Sequence, residues 1–78
     1  MSRSFPSKET VEQVRYSYPI GCRVELVSMN DPYTKLVPGD QGTVSRVDDI
    51  GTVFVRWDSG SGLGVAYGED CIKRINPR

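Results

Sequence analysis

The sequence predicts a mainly all-β domain: five short strands curled into a small barrel, with one short helix on its N-terminal side. Three observations carry this. Residues 42–60, GTVSRVDDIGTVFVRWDSG, hold two runs rich in β-branched residues, 43–47 and 52–57, joined by Asp48-Asp49-Ile50-Gly51 in the pattern of a β-hairpin. Period-two alternation recurs at 23–26 and 63–67, with turn-forming residues spaced roughly every ten positions. Helical spacing occurs in one stretch ahead of the first strand.

Taking the elements in order, residues 1–6 read as a flexible N-terminus and Ser7 as a helix N-cap, with Glu9 in the first turn where a negative charge suits the helix dipole. Val11, Val14 and Tyr18 follow at i, i+3 and i+7, while Glu12, Gln13 and Arg15 lie elsewhere around the helix, and Pro19 closes it. A helix this short is unstable alone in water, so its apolar face must dock. It either covers the barrel or meets another protein or a second copy, which makes the chain a monomer or a weak homo-oligomer through this helix. Residues 7–20 are thus helix and linker, and 21–76 the barrel.

Gly21 opens the barrel. In RVELVSM, residues 23–29, Val24 and Leu26 point inward; Val27 and Met29 fall on the other face unless a bulge near Val27 returns them to the core. The long connection 30–40, NDPYTKLVPGD, has turn signals at both ends. Its Tyr33 and Leu36 either fold back over one end of the barrel or belong to a binding loop. Val44 and Val47 are three apart, which predicts a bulge at Ser45-Arg46. Val53, Val55 and Trp57 share the inward face of the next strand, and Phe54 faces outward, where the helix is the candidate cover. After a glycine-rich loop, LGVAY at 63–67 reads as a fourth strand with Leu63, Val65 and Tyr67 on one face. Residues 68–70 turn the chain, 71–75 begin with a 3₁₀ turn leading to a last short strand, and 76–78 end it. Strand spacing, one long first loop and a tight central hairpin describe a small SH3-like five-stranded barrel. The rival, an OB-like barrel, usually needs a longer chain and a helix before its last hairpin.

The chain of 78 residues is one domain, and at this size only about 60% of the unfolded chain's surface is buried on folding. Ten Lys and Arg balance ten Asp and Glu, which argues against a dedicated nucleic-acid module, since neutralising phosphates needs a basic surplus. The first ten residues carry no apolar run of signal-peptide type and no segment approaches a membrane span, so a cytoplasmic protein without a membrane partner is expected. In that compartment Cys22 and Cys71 are expected as reduced, small apolar side chains, the alternative being a disulfide joining the two ends of the barrel. With two isolated cysteines and no His, a zinc site has no support.

Catalytic chemistry is equally thin. Ser and Cys nucleophiles need a neighbouring base, and the chain has no His. Asp48, Asp49, Asp58 and Asp70 sit at turns and strand ends, where Asp ordinarily bonds nearby backbone, and their spacing is not that of an EF-hand. GSGLG at 60–64 lacks the Lys of a phosphate loop. Neither catalytic nor metal-binding residues are expected, nor a cofactor. Binding surfaces remain. Pro32, Tyr33, Trp57 and Tyr67 are candidates for a peptide groove, since rings with a polar tip suit extended peptides; the plainer reading makes Trp57 and Tyr67 core-edge residues. Arg46, Phe54, Arg56, Lys73 and Arg74 are candidates for a nucleic-acid face combining stacking and phosphate contact. The acidic hairpin tip and neutral balance oppose it. The expected role is a non-enzymatic interaction module for an unidentified protein or peptide, with RNA or DNA binding as the alternative. A third possibility is a subunit of a larger assembly with no binding activity of its own.

The runs GCRVEL at 21–26, MNDPY at 29–33, Pro38-Gly39, Gly42-Thr43-Val44, VDDIGT at 47–52 and Trp57-Asp58 together resemble a family of short bacterial proteins, domain-of-unknown-function family four-three-one-four. The likeness covers 18–75 and implies no particular activity. Cys22 departs from the pattern expected there, which weighs against a functional thiol. The order G-x-R-V, G-T-V, V-x-V-x-W-D-x-G is also similar, more loosely, to the Mind bomb type domain of certain ubiquitin ligases, which binds protein segments. The glycine before Thr43-Val44 resembles the KOW motif of ribosomal and transcription factors, which binds RNA or protein. Both likenesses imply an SH3-like fold with a binding role.

Overall fold

The computed structural model describes residues 6–30 and 34–75. Ser7 has extended backbone and its hydroxyl accepts the Thr10 N–H at 3.1 Å, which starts helix α1 (Lys8–Ser17). Val11 is buried and Val14 packs against the core, whereas Glu12, Gln13 and Tyr16 face solvent. The helix is therefore a one-sided cover, held by a narrow apolar stripe.

Strands β1 (Arg23–Ser28), β2 (Gln41–Val47), β3 (Val53–Trp57), β4 (Gly64–Val65) and β5 (Cys71–Ile75) form one antiparallel sheet in the order β4-β3-β2-β1-β5. The fold is mainly β with one short helix. Strands β4 and β5 are its edges, and no ladder pairs them. Val24, Leu26, Val44, Val53, Val55, Trp57, Val65 and Ile72 fill the inner face, and Leu36 folds back from the long loop to close one end. The cap expected from that loop is thus present at Leu36; Tyr33 lies outside the described residues.

Both expected bulges occur. The β1–β5 register shifts between Leu26 and Ser28, and the β2–β3 register between Val44 and Arg46. The first returns Met29 to the core, but Val27 is itself the extra residue and stays 44% exposed. Elsewhere the structure corrects the sequence reading. The fourth strand is only two residues long, and Tyr67 belongs to the turn after it. The helical turn comes before β5, where Ala66 C=O accepts the N–H groups of Glu69 and Asp70, and residues 71–75 are strand throughout. Phe54 is covered by Arg46, whose guanidinium carbon stands 4.1 Å from the ring centroid, while the helix's apolar residues serve the core.

Cys22 is half-buried and Cys71 exposed, and both thiols are free. Register separates them: Cys71 faces Ser28, while Cys22 precedes the Arg23–Ile75 pair. Along antiparallel strands this offset is on the order of 15 Å, about twice the Cα separation a disulfide spans. The end-to-end disulfide is therefore excluded by geometry. Burial pushes the Cys22 thiol above its ordinary pKa, against the smaller opposing effect of Arg74.

Candidate functional site

Two surfaces carry the residues singled out from sequence. The first is the gap between the sheet's edges, where α1 lies across an apolar cleft of about 200 Å³. Val14 and Tyr18 come from the helix side, Val53 and Val65 from β3 and β4, and Ile72 from β5, with Tyr67, 52% exposed, at the rim. Asp70 shapes this rim: its carboxylate accepts the Ala66 N–H at 2.9 Å and, from the start of the long loop, the Asn30 N–H at 2.8 Å. The Tyr18 hydroxyl donates to the Ile72 carbonyl at 3.3 Å. Burial, and then the nearby Cys71 and Cys22, raise the Tyr18 pKa, so the phenol stays a donor through the neutral range.

Of the four peptide-groove candidates, Tyr67 alone is placed at this cleft. Pro32 and Tyr33 lie outside the described residues. Trp57 is a core residue: it is 3% exposed, and its indole N–H donates to the Leu63 carbonyl at 3.0 Å. This agrees with the inward face that the alternation assigns to Val53, Val55 and Trp57 together. Val14, Tyr18 and Ile72 were missed as cleft residues because the helix and β5 meet only in three dimensions.

The second surface is the outer face of the sheet. Arg46 and Phe54 are direct cross-strand partners, and Arg56 follows two residues on along β3, so these three share one face. Lys73 is three strands away from β3, about 14 Å or more at normal strand spacing, and pairs with Glu25 at 3.8 Å. Arg74 lies on the opposite face, paired in register with inward Val24, and reaches the Ser17 carbonyl at 3.4 Å. The five basic and aromatic candidates thus form no single patch. Between Arg56 and Lys73 stands Arg23, held in a two-pronged bond by Asp58 at 2.9 and 2.5 Å, and also donating to Thr43 Oγ1 at 3.0 Å. Asp58 stands in the turn that follows β3, as expected, but its carboxylate neutralises the Arg23 cation on β1 rather than bonding nearby backbone.

The hydrogen bond from Arg23, reinforced by its charge, holds the Asp58 carboxyl below the usual range. A depressed folded-state pKa gives a contribution present above the unfolded value, about 4, and lost as pH falls through the folded value. We therefore expect wild type to lose more stability than Asp58→Asn when urea midpoints are compared from near-neutral pH down to about pH 3. Equal acid sensitivity would mean the pair is not formed in solution.

Of the hairpin's own two aspartates, Asp48 takes the turn role. Asp48 Oδ1 accepts from Ile50 N–H at 3.1 Å and Thr52 N–H at 2.9 Å. Asp49 bonds Arg15 of the helix at 3.1 Å, an exposed pair of small energetic weight. Among the described residues no group of three or more His, Cys, Asp or Glu is placed to hold a metal ion. No helix there is long and apolar enough to cross a membrane.

Fold and surface together define a small antiparallel-sheet domain with a helix across its open side. The chain belongs to the family described as Domain of unknown function (DUF4314), which matches residues 7–75. No curated protein matches it.

Proposed function

We propose that this is a non-enzymatic interaction module that binds a polypeptide segment, and that its bent sheet is an SH3-like barrel with α1 laid over the opening. The cleft between β4 and β5 carries the reading. Its walls at Val14, Tyr18, Val53, Val65 and Ile72 are apolar, and Tyr67 adds an amphipathic ring at the rim. Concave apolar surface with few polar groups is what side-chain recognition uses. Two thiols too far apart to bridge each other suit a cytoplasmic setting. A wider hollow over Glu9, Glu12, Gln13 and Tyr16 is bounded by the helix alone and offers less enclosure.

A second reading, RNA or DNA binding, draws support from Arg46 and Arg56 flanking Phe54, both without an ion pair among the described residues. It is the weaker one, because Arg46 covers the ring that a base would stack on.

Selection from a random-peptide display library, followed by anisotropy titration of the enriched sequences, tests the first reading. Tyr67→Ala is expected to weaken binding about tenfold. No enrichment, or unchanged affinity in the folded variant, overturns it. Salt-sensitive binding of single-stranded RNA that is lost in Arg46→Ala and Arg56→Ala would transfer the function to the outer face.

A further inference from the structure

The main-chain groups of β5 reveal a free sheet edge. Leu26 donates its N–H to Asp40 C=O at 2.8 Å and accepts the Gly39 N–H at 2.9 Å, and Cys22 C=O accepts the Val44 N–H at 2.9 Å. Residues 22, 24 and 26 therefore turn their main-chain groups towards β2, and Arg23 and Glu25 turn theirs towards β5. Across the β1–β5 ladder Leu26 faces Ile72 and Val24 faces Arg74. These are non-hydrogen-bonded pairs, so Ile72 and Arg74 aim their N–H and C=O groups out of the sheet. Tyr18 reaches the Ile72 carbonyl from that side, as this geometry requires. Among the described residues the Ile72 N–H and both main-chain groups of Arg74 have no hydrogen-bond partner.

Charge selects the occupant. Two such edges pairing antiparallel about Lys73 would set Lys73 against its own copy, a like-charge contact that disfavours self-association. The same Lys73, exposed on the outer face and only loosely tied to Glu25, attracts a carboxylate on an added strand. On the inner face, the side chain beside Ile72 would lie over the apolar cleft that Tyr18 lines. We propose that the free edge of β5 takes up, by strand addition, an extended peptide in which carboxylates alternate with apolar side chains, displacing the Tyr18 hydroxyl from the Ile72 carbonyl. This rests on the peptide-binding reading above and names the partner's chemistry and pairing edge.

The probe is a fluorescein-labelled peptide of alternating Glu and Val, with an alternating Lys and Val peptide as control. The Glu peptide is expected to bind at least tenfold tighter than the Lys peptide. Tyr18→Phe, which keeps the ring and removes the competing hydroxyl, should tighten binding roughly threefold to tenfold. In amide hydrogen exchange followed by NMR, the bound peptide should slow Ile72 and Arg74 about tenfold or more while leaving Lys73, already in the ladder, unchanged. Equal binding of both peptides, or binding that moves Tyr67 and Val65 resonances without protecting Ile72 and Arg74, overturns the proposal. So does absence of binding by both wild type and Tyr18→Phe at millimolar peptide. None of these results affects the selection with Tyr67→Ala, so the two readings fail separately.

Discussion

Trp57→Ala is expected to lower stability by about 4 kcal/mol, a third or more of what a chain of this length commands. Trp57 ends β3 with 3% of its surface exposed, and removing a buried Trp side chain costs about 3–5 kcal/mol through lost apolar burial and the cavity left behind. The substitution also strands the Leu63 carbonyl that accepts the indole N–H, adding about 1 kcal/mol. Domain stabilities run at roughly 0.05–0.15 kcal/mol per residue, so a chain of 78 residues has little in reserve. Trp57→Phe keeps a ring and loses the donor, and should fall between wild type and Ala. Because Trp57 is the chain's one Trp, far-UV circular dichroism in urea is the readout for the series. A loss below about 1 kcal/mol for the Ala variant would place the indole at the surface and return it to the peptide groove.

Where local chemistry decides structure, the chain could be read directly. Ser7 caps the helix, Asp48 to Gly51 turn the hairpin, and the three-residue spacing from Val44 to Val47 announces a bulge that the register contains. Period two likewise put Val53, Val55 and Trp57 inside. What stayed hidden depends on contacts between distant segments. Strand β4 is cut short where Asp70 takes the Ala66 N–H, and the same carboxylate holds Asn30, forty residues away. Arg46 meets Phe54 only after the bulge has shifted register, so a cover drawn from the sequence as helical is a cation instead.

The candidate sites divide the same way. Strand order separates Lys73 from Arg56, and the pleat turns Arg74 to the other face, so five residues that look like one basic patch are three unrelated positions. Tyr67 reaches the cleft, whereas the residues that wall it come from the helix, the hairpin and both edge strands. A groove of this kind leaves no contiguous signature in a chain. Its apolar members read individually as core.

Gly42→Ala should be as damaging as a core truncation, although it adds a single methyl group. Gly42 is buried in β2 opposite Trp57, and a Cβ there would stand 2.5 Å from Val55 Cγ1, 2.7 Å from the Arg56 carbonyl oxygen and 2.9 Å from Trp57 Cα. Two of those atoms are backbone of β3. They can retreat only by parting the β2–β3 ladder or displacing Trp57, so relief of the clash breaks other contacts. Overpacking of this kind costs about 1–3 kcal/mol and more where backbone must move, and about 3 kcal/mol is expected here. Gly64→Ala supplies the contrast. Its Cβ would meet Thr52 Cγ2 at 2.9 Å and the Phe54 ring at 3.2 Å, side-chain atoms beside a two-residue edge strand that can shift. We expect that variant to lose about 1 kcal/mol or less. Urea midpoints of the two variants, measured side by side, test the packing of β2 on β3. If Gly64→Ala proved as costly as Gly42→Ala, the short edge strand would have to be as rigidly held as the sheet's centre.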